Sequence, residues 1–100
     1  MTMKRKHELK LAPHYFQLVQ DGLKTAEFRR ADRDFQVGDE LFLREFNSIN
    51  KPYASYTGNA ISCLITDITK INEVYPELRA LPPFVMISFS VIRIEDNYRG

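Results

Sequence analysis

The sequence predicts a mainly β domain of the α+β class, a small sheet curled into a barrel with one main helix packed across it. Three observations carry that expectation. Only one stretch has helical spacing of its apolar residues, and five others read as strands, giving the order β-α-β-β-β-β. Several strands are apolar on both faces, as where Leu41 and Leu43 alternate with Phe42 and Phe46. Two-sided burial in a chain with so little helix suggests a sheet rolled onto itself. An open sheet with the helix on one face is the alternative architecture.

The elements follow in order. In "HELKL", His7, Leu9 and Leu11 share one face and Glu8 and Lys10 the other, as in a short half-buried strand. Pro13 suits the first position of a helix, where its missing N–H costs nothing. Phe16 and Val19, with Tyr15, then form an apolar stripe, and Gly22 offers a left-handed stop, so the helix spans 13–21. "KTAEFRR", residues 24–30, reads as the second strand and "ADRD" as a polar turn. Gly38-Asp39 turns the chain into a third strand at about 40–46. The Gly, Pro, Asn and Ser of "NSINKPYASYTG" predict a loop over 47–58. "NAISCLITDITKI" is long and β-branched, hence a strand. "NEVYPELRALPP" reads as a loop with at most one helical turn. "FVMISFSVIRIE" closes the fold, with Val85, Ile87, Phe89 and Val91 as its core face.

Composition narrows the class. One hundred residues suit a single domain over 1–100, able to bury roughly two-thirds of its unfolded surface. No apolar run reaches the roughly 18 residues of a membrane span, and the basic start "MTMKRKHELKL" lacks the apolar region of a signal peptide. A soluble cytoplasmic protein is the expectation. The lone Cys63, inside "AISCLITDI", excludes an internal disulfide and reads as a buried, inert thiol. Charge is uneven: residues 1–33 hold eight Lys and Arg against four acids, in a chain of net charge +1. Such asymmetry suits an anionic partner on the N-terminal third.

The segment "GLKTAEFRR", residues 22–30, concentrates that charge. Glu27 and Arg29 are two apart on a strand and share a face; Lys24 joins them if the helix exit twists the chain. Arg29 offers a planar fork for phosphate or a base edge, and Lys24 a compact charge. Glu27 would hold both, or accept from a base amino group. A nucleotide in a shallow pocket suits all three, with Tyr53 and Tyr56 of the 47–58 loop as aromatic walls. The plainer alternative is a solvated strand face with weak ion pairs.

Gly22, Lys24, Glu27 and Arg29 match the G-x-K-x-x-E-x-R signature of the ASCH domain, a branch of the PUA-like β-barrel superfamily. Across residues 7–46, the chain resembles a small, largely uncharacterised bacterial and phage branch of that family. The resemblance implies a compact barrel with a cleft beside the first helix, and RNA binding by analogy with PUA domains. Some relatives of this kind act as nucleases or as amidohydrolases on acylated cytidines. The amidohydrolase type carries a threonine nucleophile where this chain has Glu27, so that mechanism does not transfer.

Other candidates extend or compete with this cluster. Arg30, Arg33 and Arg44 would lengthen a positive rim. Asp32 and Asp34 flank Arg33, but no third ligand accompanies them, so neither metal nor cofactor is expected. His7 reads as a core-edge histidine, or as a base if its strand borders the cleft. The leading expectation is an RNA- or nucleotide-binding protein. A nucleoside amidohydrolase or ribonuclease using Lys24 and Glu27 as acid and base, with His7 assisting, is the second. A phage-type accessory protein docking a protein through the 47–58 loop is the third. Oligomeric state is not legible at this level.

Overall fold

The computed structural model describes residues 4–48 and 54–98. Its elements are β1 (Lys6–Leu11), α1 (Pro13–Gln20), β2 (Ala26–Arg30), β3 (Glu40–Asn47), β4 (Ser55–Lys70) and β5 (Phe84–Glu95). Two short 3-10 turns, Ile71–Glu73 and Pro76–Ala80, join the last two strands. Just over half of the described residues are strand, and α1 is the only α-helix among them.

All five strands form one sheet in the order β1-β3-β4-β5-β2. β1 runs parallel to β3, and the other neighbours are antiparallel. The sheet curls into a half-barrel whose two edges, β1 and β2, are the strands that α1 connects. Among the described residues no backbone pairing joins those two edges. Alternation decides which side chains line the concave face. His7, Leu9 and Leu11 point inward from β1, Leu41 and Leu43 from β3, Ile61, Cys63 and Ile65 from β4, and Val85, Ile87 and Phe89 from β5. Phe16 and Val19 of α1 fill the concave side, and each of these apolar groups is nearly sealed from solvent. Full burial of a side chain of that size is worth about 1.5–3 kcal/mol. Phe42 is buried on the opposite, convex face, under Lys6 and Tyr98.

Several expectations need correction. Strand β2 starts at Ala26, so Lys24 sits in the turn after α1. The 47–58 loop is shorter than expected: β3 runs to Asn47 and β4 begins at Ser55. Gly58 allows this, because its φ of 99° accommodates the register shift between Arg44↔Ala60 and Phe46↔Tyr56. Glu45 steadies the shift by accepting from Thr57 Oγ1 at 2.7 Å and from Asn59 Nδ2 at 3.1 Å. Val91 is 40% exposed and not part of the core. The "NEVYPELRALPP" segment makes two 3-10 turns where one helical turn at most was expected. Asn72 organises them, sharing its amide among the carbonyls of Leu78, Leu81 and Pro82 while accepting from the Phe84 N–H. Cys63 is buried as expected, and burial, with the Glu40 carboxylate adding to it, pushes its thiol up to about 12.

Candidate functional site

The helix exit delivers Lys24. Gly22, at φ 77°, reverses the chain after α1, and the N–H groups of Leu23 and Lys24 both donate to Leu18 O. This wrapped exit turns Lys24 back toward β2, where its Nζ lies 3.2 Å from Glu27 Oε1 and also donates to Ala26 O. Arg29 Nε donates to Glu27 Oε2 at 2.7 Å. One buried carboxylate therefore holds two cations, one through each oxygen, as charge-assisted bonds on a desolvated acid.

Arg29 does a second thing. Its Nη2 donates to Lys10 O, 2.6 Å away on β1. Arg33, just past β2, donates through Nη1 to Glu8 O at 2.9 Å. Arg5 O bonds to Glu40 on β3, so alternation turns the carbonyls of Glu8 and Lys10 toward the open edge. Two guanidinium groups thus stitch β2 to β1 where no backbone ladder does. Each such bond is worth about 1 kcal/mol at a partly solvated position.

Beside this seam lies a hollow of about 500 Å³, lined by Lys10, Leu11, Ala12 and Tyr15 on one side and Lys24, Glu27, Phe28 and Arg29 on the other. Lys24, Glu27 and Arg29 are thus brought together on one concavity roofed by the start of α1. Their two cations outweigh the single carboxylate. Tyr15 is half exposed, and the Lys24 ammonium sits 5.7 Å from its ring centroid. A smaller hollow of about 190 Å³ continues along the seam, lined by Leu9, Arg29, Arg30, Asp32, Arg33 and Phe35. Arg29 is the wall between the two.

The remaining candidates go elsewhere. His7 points into the core, where Nε2 donates to Asp39 Oδ2 at 2.8 Å and its ring packs on Phe35. It does not line either seam hollow, although its strand does. Asp39 also accepts from the N–H groups of Arg5 and Gln36. Burial alone would raise its pKa, but these bonds outweigh burial and hold the carboxyl below its ordinary 3.8. Tyr56 stands on β4, not in a loop, and faces a separate convex hollow of about 300 Å³. There the Arg44 guanidinium lies 3.6 Å from its ring centroid and 4.9 Å from that of Tyr98. Arg44 also pairs with Glu8 at 3.2 Å, so it joins the convex face and not the seam. Tyr53 lies outside the described residues. Asp34 bonds to Gln36 Nε2, and Asp32 lines the smaller hollow. Among the described residues, no three His, Cys, Asp or Glu side chains gather as a metal site would require.

Sequence reasoning missed Tyr15 as a wall of the hollow. Its position one residue before Phe16 carried the signal, since a 100° turn along the helix moves it from the core to the rim.

A family model described as a domain of unknown function (DUF3850) matches residues 6–79, from β1 into the second 3-10 turn. A protein of Escherichia phage P2, described as an uncharacterized 12.9 kDa protein in the GpA 3' region, is 39% identical over 71 residues. That alignment covers 71% of this chain and 61% of the phage protein, so the chain spans less than two thirds of that relative's length.

Proposed function

The chain belongs to the DUF3850 family, and from the site it carries we propose that it binds single-stranded RNA or a nucleotide in the hollow between α1 and β2. One observation carries the reading: a buried carboxylate positions two cations at the mouth of a concavity that also presents an exposed tyrosine ring. Glu27 restricts Lys24 and Arg29 before any ligand arrives, which lowers the ordering cost of binding. Arg29 Nη1 has no partner among the described residues and is available to a phosphate oxygen. The first turn of α1 borders the hollow through Ala12 and Tyr15 and has no side-chain cap, adding positive partial charge. Tyr15 offers a stacking surface worth about 1–3 kcal/mol per base. The likeness of "GLKTAEFRR" to the ASCH signature supports the same ligand class. Position 27 carries a carboxylate and no hydroxyl, which favours binding over acyl transfer.

Titration of a short single-stranded RNA against wild type, Lys24→Ala, Tyr15→Ala and Arg29→Lys tests this, at about 50 and about 200 mM salt. Arg29→Lys is used because removing the guanidinium altogether would also unstitch the seam. Wild type should bind more weakly at the higher salt. Lys24→Ala should lose roughly tenfold and show a salt slope shallower by about one. Equal affinity in all four proteins would remove the hollow from consideration. RNA cleavage during the titration would move the assignment to a ribonuclease.

A further inference from the structure

The curled sheet leaves the last part of β5 paired on one side only. β2 pairs only with Phe84–Ser88 of β5, and Thr25 O takes the Phe89 N–H just beyond. From residue 90 to 95, β5 bonds to β4 on one side, with Ile92 left out of register as a bulge, and no described residue pairs with its other side. Both faces of this stretch are open, with Val91, Ile92 and Ile94 each 40–50% exposed. The outer edges β1 and β2 are managed within the fold, since α1 spans them and Arg29 and Arg33 stitch them, and the end of β4 that runs past β3 carries the polar Asp67, Thr69 and Lys70. An exposed, β-branched, unpaired edge is a template for another strand.

We propose that a second copy of this chain occupies that edge, β5 against β5, antiparallel about a two-fold axis. The order of charges selects this occupant. When Ile94 lies opposite its own counterpart, Arg93 of each copy lies opposite Glu95 of the other, and the axis makes the match twice. Within one chain the two already share a face, Arg93 Nε lying 2.7 Å from Glu95 Oε1. Pairing turns that contact into a ring of four alternating charges on one face, with the two copies of Ile94 meeting at the axis on the other. Asn97, at φ 58°, ends the extended backbone and fixes the length of the ladder. A patch of this size belongs with small, reversible interfaces, so dissociation in about the micromolar range is expected.

Sedimentation equilibrium from about 1 μM to about 1 mM tests the pairing, using wild type, Arg93→Glu, and the swap Arg93→Glu with Glu95→Arg. These side chains are at the surface, so the fold is retained, as circular dichroism checks. Wild type should reach the dimer mass, and Arg93→Glu should weaken it at least tenfold by setting like charges opposite each other. The swap should recover wild-type association. A wild type that stays monomeric throughout leaves the edge to a strand of other sequence and overturns the proposal. So does a dimer indifferent to Arg93→Glu, or a swap that fails to recover.

Discussion

Glu27 and Asp39 are both buried carboxylates holding a cationic or N–H-bearing partner from another segment, yet they do opposite things. Every group that Asp39 holds is spent: His7 is sealed under Phe35, the Arg5 N–H belongs to the entry of β1, and the Gln36 N–H to the turn that starts β3. Glu27 holds Lys24 and Arg29, whose side chains stay 24% and 29% exposed and line a hollow. What a buried acid is for therefore depends on where its partners end. An acid whose partners close on themselves fixes the chain. An acid whose partners open onto a concavity prepares a surface.

The sharpest way to break the contrast is Asp39→Ala. It strips acceptors from His7 and two backbone N–H groups at once, and about 3–5 kcal/mol should be lost in urea unfolding. A loss under about 1 kcal/mol would show that this corner is not a structural anchor. Glu27→Ala leaves two cations close together with no counterion, but water reaches both, so about 1–2 kcal/mol is expected. In the same protein RNA affinity should fall, because Lys24 and Arg29 lose their positions. If stability dropped while binding held, the carboxylate would be a seam component only.

Acid sensitivity sharpens the comparison further. Asp39 has a folded-state pKa below its unfolded value of 3.8. In that window the unfolded chain binds more protons, so stability rises with pH. The contribution is complete above about pH 5 and fades as pH falls through 3.8 toward the lower folded value. An Asp39→Asn variant, less stable at neutral pH, should show a flatter acid limb in pH-dependent denaturation, with the gap to wild type narrowing below about pH 4. An unchanged limb would assign the acid response to other carboxylates. The smallest expected stability effect is that of Lys24→Ala, under about 1 kcal/mol for a partly solvated pair. Its roughly tenfold effect on RNA binding would then stand clear of any folding defect.

Much of this was legible in the chain. The helix was placed to within a residue, because Pro13, the Phe16 and Val19 spacing and Gly22 are all local signals. The last strand, 84–95, was read with its true bounds. Val91 keeps the inward period, opposite the buried Cys63, and is exposed because it lies past the last β5 residue that β2 covers, a length no local pattern gives. The loop over 47–58 was read too long because Gly58 marks an irregularity inside β4 and not its beginning. In the site, Lys24, Glu27 and Arg29 were found because they are three and two residues apart. Tyr56 was misplaced because nothing in a sequence says which face of a curled sheet a later strand presents.

By itself, then, the sequence determined the strand and helix periods, the single helix, the buried thiol and the membership of the charged trio. These rest on spacings of two to four residues, which backbone geometry converts directly into shared faces. Only the tertiary structure decided that β1 and β2 would meet as unpaired edges, that Arg29 and Arg33 would bridge them, and that half of β5 would stay open. Those outcomes join residues 19 to 25 positions apart. They depend on how far the whole sheet curls, a sum over every strand that no single window contains.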